Sequence, residues 1–305
     1  MNKKHVSFFE ATARVRVAAL VDKGSFTEFC PPSNRYTSPH LARLDAPVAF
    51  DDGVVVGSAT FDGRHILVAA QEGKFNGGAV GEVHGAKIRG LLDRAVIEKP
   101  AAVLLLVDSG GVRLHEANAG LIAISEIMRA LMATQAAGVP VFALVGGSCG
   151  AFGGMGIVTR LCDEVIMSEE GRLGLSGPEV IETVKGVGEF DSRDRSLVWR
   201  VTGGKVRRAL GEATQLVDDD VAAFREGVIA ALSRGQRSAS HLATLKQQHA
   251  ALVQRREKHA QTVDGLEVWR QAGFTHPEGV AMLSAAEFNE ELNTQLSASV
   301  AEVKS

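Results

Sequence analysis

The sequence predicts an α/β fold, one largely parallel sheet packed by helices, with helical additions at both ends. Three observations carry this. Two short, wholly apolar runs, Ala101 to Val107 and Val139 to Val145, each stop at glycines and are separated by a segment of helical periodicity, the pattern of parallel strands covered on both faces. Asp62-Gly63 divides two runs rich in β-branched residues, Val54 to Phe61 and Arg64 to Ala70, as in a tight hairpin. From Asp218 onward the chain is helical and charged, with no strand candidate.

Taken in order, Ser7 and Glu10 have capping-box spacing, Ala11 to Leu20 lack a breaker and Gly24 stops the run, so a helix is expected from about Ser7 to Val21. Prolines at 31, 32, 39 and 47 make Cys30 to Pro47 a long, mobile loop. The hairpin follows. After the glycine-rich stretch Phe75 to Gly81, Ile88, Leu91, Leu92, Ala95 and Val96 mark a helix that faces the sheet, and Leu121, Ile124, Met128, Leu131 and Met132 mark another that ends near Gly138. Gly150 to Leu161 reads as helical and Glu164 to Met167 as a third strand. The β-α-β-α-β alternation implies right-handed crossovers. Three parts result: an N-terminal helix and loop (1–50), a core (51–217) and a C-terminal helical extension (218–305).

Composition excludes several classes. With 45% hydrophobic and 23% charged residues, 305 residues bury a substantial core, and no stretch approaches the ~18 uninterrupted apolar residues of a membrane helix. A net charge of -3 is not that of a nucleic-acid binder. Cys30, Cys149 and Cys162 are odd in number and lack C-x-x-C spacing, so they support neither a disulfide framework nor a zinc site and fit a reducing cytoplasm. Met1 to Glu10 lacks the apolar centre of a secretory signal and is expected to stay unprocessed. Aromatics make up only 5% while glycines number 33, as if backbone must come close to something.

Two turns after strands concentrate those glycines: Asp108-Ser109-Gly110-Gly111, and Gly146 to Gly156, GGSCGAFGGMG. Ligands of open α/β sheets sit beyond the carboxyl ends of strands, where main-chain N–H groups are exposed. Two converging amides would make an oxyanion hole suited to an enolate. Glycine after a strand is also the ordinary punctuation of a parallel sheet, but both turns together favour a site. Phosphate-loop and dinucleotide fingerprints are absent, and Gly147-Ser148-Cys149-Gly150 does not complete a hydrolase nucleophile elbow. His84 and His115 match no metal spacing and read as helix residues that face solvent or back up the site. Cys149 is either a thiol acidified by a helix N-terminus or a small buried hydrophobe.

Ala11-Thr12-Ala13-Arg14 through Leu20-Val21-Asp22-Lys23-Gly24-Ser25-Phe26-Thr27-Glu28 resembles the opening signature of the acyl-CoA carboxyltransferase subunits of biotin-dependent enzymes, T-A-R-x-R-[IV]-x-x-L-[LV]-D-x-G-S-F. The register continues through Asp52-Gly53-Val54-Val55, Asp62-Gly63-Arg64, Phe75, Gly77-Gly78, Gly81-Glu82-Val83-His84, Asp108 to Arg113 with Glu116-Ala117, and Gly177-Pro178-Glu179-Val180-Ile181-Glu182, covering roughly residues 7 to 215. The resemblance implies a crotonase-like fold of repeated β-β-α units, with 51–217 as a carboxyltransferase-type core. Only the first half of a fused carboxyltransferase is matched, and the four-cysteine zinc ribbon of bacterial acetyl-CoA carboxylase β subunits is missing. With its variants SGGVRLHEA and GGSCGAFGG, the chain looks most like the β subunits of biotin-independent malonate decarboxylases.

That resemblance implies decarboxylation of a malonyl thioester carried by the CoA-derived phosphopantetheine arm of an acyl carrier protein. It implies no tightly bound cofactor, no biotin and no metal, and an obligate γ-like carboxyltransferase partner. It assigns Gly110 and Gly111 to one anion-stabilising turn and Gly150, Gly153 and Gly154 to the other, with the donor amide left open. Phe75, Gly77 and Gly78 would line the pantetheine channel, Ser109 would lie beside the substrate, and Gly177 and Pro178 would form pocket wall. Arg113 would hold the leaving carboxylate or simply pair with Glu116. Two alternatives stand beside this: a carboxyltransferase half that moves CO2 between carboxybiotin and an acyl-CoA, and a docking subunit. The latter would use Lys205, Arg207, Arg208, Arg234, Arg237, Arg255, Arg256 and Lys258 to attract an acidic carrier.

Overall fold

The computed structural model describes residues 5–45, 48–234 and 242–304; Met1 to Lys4, Pro47 and Arg237 lie outside the described residues. Seven strands form one sheet in chain order: β1 (Thr27–Phe29), β2 (Val54–Phe61), β3 (Arg64–Gln71), β4 (Val103–Val107), β5 (Val141–Val145), β6 (Glu164–Ser168) and β7 (Gln215–Val217). β1 to β3 are antiparallel, and β3 to β7 are parallel. Asp62 and Gly63 turn the hairpin with φ of 51° and 71°, the positive values that make Asp-Gly the favoured pair there. The helices are α1 (Ala13–Leu20), α2 (Glu82–Glu98), α3 (Ala119–Ala136), α4 (Gly153–Leu161), α5 (Pro178–Lys185), α6 (Arg195–Thr202), α7 (Gly204–Ala209), α8 (Val221–Arg234), α9 (Leu242–Lys258), α10 (Gly265–Gln271) and α11 (Ala285–Lys304).

β4, β5 and β6 are buried along their whole length because helices cover both faces. Successive strand residues point to opposite sides. Val103, Leu105, Val141, Ala143 and Val165 meet α2, α3 and α4, while Leu104, Leu106, Phe142, Leu144 and Ile166 meet α1 and α8. A third apolar cluster around Trp269, Phe288 and Leu292 joins α7, α10 and α11.

Several expectations are corrected. The first helix starts at Ala13: Ser7 Oγ accepts the Glu10 N–H at 3.1 Å, as the capping-box spacing expects, but closes only a turn there, and it also donates to Asp219 and ties the N-terminal segment to the turn before α8. β1 and β7, three residues each, escape the sequence pattern because so short a strand has no measurable alternation. The first fifty residues therefore contribute a strand to the sheet, and α8 lies on its second face, so the core extends past residue 217. On α3 the buried stripe runs through Ala123, Ile124, Ile127, Ala130 and Leu131; Leu121 and Met132 face outward.

Between each parallel strand and its helix, one or two residues pair with the next unit: Val80 with Val112, Ser109 with Ala151, and Ala151 with Leu173. These short parallel bridges act as the second β of a β-β-α unit. They stack the post-strand turns against one another at one edge of the sheet.

Candidate active site

The two glycine turns follow β4 and β5 and are stitched together. Ser109 N donates to Gly150 O at 2.6 Å, and Phe152 N donates to Ser109 O at 2.9 Å. Gly111 is brought so near Gly153 that a Cβ on Gly153 would stand 3.2 Å from Gly111 Cα. The Phe75 to Gly78 turn joins them, since Gly110 N donates to Gly77 O at 2.9 Å. Gly78 must lack a side chain there, because its Cβ would lie 1.7 Å from Asp108 O.

Accounting for each amide narrows the donor set. Gly110 N is spent on Gly77 O, Gly150 N on Gly147 O at 3.1 Å, and Gly153 N on Leu175 O at 2.9 Å. These three glycines shape the turns and do not offer free donors, which corrects the wider expectation. Gly111 N has only a long contact, 3.3 Å to Ser109 Oγ. Gly154 is the second residue of α4, so its N–H has no intrahelical acceptor.

Beneath the turns lies a buried ion pair. Asp108 Oδ2 takes Arg16 Nη1 at 2.8 Å and Asp108 Oδ1 takes Cys149 N at 2.7 Å, with both side chains 2% exposed. Burial pushes the Asp108 carboxyl above its ordinary range, against the pull of Arg16 and the Cys149 amide. Cys149 does not open a helix, and burial raises its thiol, assisted by Asp108; it is no activated nucleophile.

Arg113 is fully engaged: Nε donates to Ala79 O at 2.8 Å, Nη1 to Asp51 and to Glu116 at 2.9 Å, and Nη2 to Asp51 at 3.1 Å. Its guanidinium also stands 5.3 Å from the centre of the Phe75 ring, and both residues share a small cleft with Ser38, Leu41 and Asn76. A salt bridge with Glu116 is thus the reading the geometry favours. His84 is wholly buried between Gln71 and Arg113, with its pKa pushed down to about 3 by burial, while His115 is half exposed. Gly177 precedes α5 and Pro178 opens it, the usual place for proline in a helix. Sequence reasoning missed Arg16 and Asp108 as a pair, although the second arginine of the opening signature and Asp108 at the head of the first glycine turn both stood in the motifs.

Four of the expected basic residues are already engaged, while Arg256 and Lys258 remain exposed. Lys205 is buried with Nζ on Ala281 O, Arg207 and Arg255 pair with Glu212, and Arg234 pairs with Glu164. Apolar side chains are exposed instead around the turns: Leu114 is 87% exposed, with Leu121, Ile122, Leu175, Val180 and Val184 also outward. Two cavities flank α2, one of ≈ 430 Å³ between β1 and α2 and one of ≈ 450 Å³ between α2 and α3; the residues lining them belong to neither glycine turn. No helix among the described residues is long and apolar enough to cross a membrane.

The family model for the carboxyl transferase domain matches residues 9–224. The chain is 41% identical over 302 residues to malonyl-S-ACP:biotin-protein carboxyltransferase MADC of Malonomonas rubra, covering 92% of this chain and 94% of that one. It is 36% identical over 177 residues to the propionyl-CoA carboxylase β chain of Saccharopolyspora erythraea, covering 57% of this chain but 31% of that longer one. Among solved structures, a chain of a Pseudomonas malonate decarboxylase hetero-tetramer in complex with malonate superposes with TM-score 0.77 at 41% identity, covering 88% of this chain and 97% of that one. A chain of the Pseudomonas malonate decarboxylase MdcD-MdcE hetero-dimer gives TM-score 0.64 at 37% identity, covering 81% and 96%. The crotonase-like architecture expected from the sequence is shared with these proteins.

Proposed function

Because the chain belongs to the carboxyl transferase domain family, we propose that it is the subunit of a malonate decarboxylase in which a malonyl thioester on an acyl carrier protein loses CO2. Breaking the bond to the carboxylate leaves its electron pair on the α-carbon, delocalised onto the thioester oxygen as an enolate. The Gly111 and Gly154 amides hold that oxygen, and the enolate then takes a proton to become the acetyl thioester. The observation that carries this reading is the contact between the two turns, which sets Gly111, whose amide has only a long bond to Ser109 Oγ, and Gly154, whose amide has no intrahelical acceptor, on adjoining backbone. Preoriented amides act where charge develops and need no reorganisation during the reaction.

A related second subunit would seat on the exposed residues Leu114, Leu121, Ile122, Leu175, Val180 and Val184, closing a pocket over the turns. The heteromeric Pseudomonas neighbours support such a partner. No biotin is required for this chemistry.

The Malonomonas relative favours a second reading, transfer of the carboxyl group from the malonyl thioester to a biotinyl protein, which passes through the same enolate. One experiment separates the two: supply malonyl carrier protein to the co-purified complex and measure CO2 release with and without avidin. Avidin-insensitive release supports the decarboxylase. Release abolished by avidin and restored by a biotinyl carrier would replace it with the transferase.

A further inference from the structure

We propose that the buried Arg16–Asp108 pair is the positioning element that sets the two amide turns against each other. This rests on the oxyanion reading above and deepens it. Asp108 belongs to both turns at once: its backbone opens the first, directly after β4, and its Oδ1 accepts the Cys149 N–H of the second at 2.7 Å. The carboxylate is walled in, since a Cβ on Gly147 would lie 2.2 Å from Asp108 Cγ and one on Gly73 would lie 2.6 Å from Oδ2. Only glycine at those places lets both turns close on one side chain. Being 2% exposed, Asp108 does not touch substrate; it acts through the backbone it holds.

Arg16 does two further things. Its Nε donates to Phe8 O at 2.6 Å and its Nη2 to Phe9 O at 3.3 Å, so the guanidinium fork anchors Asp108 to the N-terminal segment and α1. It also neutralises a carboxylate that, left bare under the turns, would oppose a second negative charge forming above them. This accounts physically for an arginine at the second basic position of the opening signature, while Arg14 faces outward to Glu28 and Asp52.

The test uses the whole co-purified complex and compares two double variants that leave no unpaired buried charge. Asp108→Ala with Arg16→Met removes the acceptor for Cys149 N–H; Asp108→Asn with Arg16→Gln retains one. The first is expected to assemble with kcat for CO2 release about 100-fold lower and KM for the malonyl thioester within about twofold, and the second to recover at least about tenfold of that loss. Should the first fail to assemble, Arg16→Lys decides, since it keeps the charge and gives up the fork: kcat about tenfold lower at unchanged KM supports the proposal. Wild-type kcat in whichever variant decides, or a loss carried by KM, overturns it. An inactive wild-type complex would instead sink the functional reading beneath it.

Discussion

Gly153 stands directly against Gly111, with 3.2 Å between the place of a side chain on the former and the Cα of the latter, and each belongs to a different strand's turn. The contact exists because Ser109 and Ala151 pair as neighbouring extended residues just past the strand ends. Turns brought together by backbone pairing inherit the precision of the sheet, and the Asp108 carboxylate, which accepts the Cys149 N–H at 2.7 Å, ties the same two turns together from beneath.

Gly150 supports this arrangement from below. Its φ is +71°, and a Cβ there would lie 2.7 Å from Arg172 O. Gly150→Val is therefore expected to lower unfolding free energy by more than about 2 kcal/mol, from the left-handed backbone penalty together with the collision. Urea denaturation of the purified chain measures this; a wild-type midpoint would mean that the turn is not held as described.

His84 predicts an acid-side loss of stability. Its native pKa, about 3, lies below the ordinary value of 6.5 because burial disfavours the charged form, with Arg113 adding to this and Asp51 opposing. Below about pH 6.5 the unfolded chain takes up a proton that the folded chain refuses. The contribution is thus full above that pH and lost as pH falls, by up to about 1.4 kcal/mol per unit. His84→Gln should flatten the stability profile between pH 6 and pH 4, and profiles that run parallel would contradict the assignment.

Arg113 pairs with Asp51 and Glu116 inside the protein, all three side chains being 6% exposed or less. Arg113→Met should destabilise by about 3 to 5 kcal/mol, because it strands two buried carboxylates. If Arg113 instead grips substrate, the variant will keep the wild-type melting temperature and raise KM.

The outward apolar residues beside the turns predict an interface. Leu114→Asp or Ile122→Asp should leave the chain's own stability within about 0.5 kcal/mol, since both side chains are exposed, yet abolish co-purification with the second subunit. Undiminished complex formation would place the partner elsewhere.

Much of this was legible in the residues. Continuous apolar runs gave β4 and β5 because strands covered on both faces need apolar side chains in both directions, and Asp62-Gly63 gave the hairpin. The glycine turns and the relation to carboxyltransferases and malonate decarboxylase subunits were readable from motifs. What escaped depends on tertiary closure. No local pattern tells that Ser7 turns to Asp219, that α8 covers the sheet, or that Lys205 is buried against Ala281 O. The choice among glycine amides also needed coordinates, because a donor's availability depends on carbonyls far along the chain, such as Leu175 O for Gly153.

The central claim is that main-chain amides of these two turns hold the charge released as CO2 leaves. Gly111 allows the most direct test, since its φ of +134° suits glycine while a Cβ there meets no neighbour within 4 Å, so a larger residue strains the turn and fills the space beside it. The measurement is kcat for CO2 release from malonyl carrier protein by the assembled complex carrying Gly111→Val. A loss of about 100- to 1,000-fold with assembly intact is the predicted result; turnover close to wild type in an assembled, folded variant would contradict it.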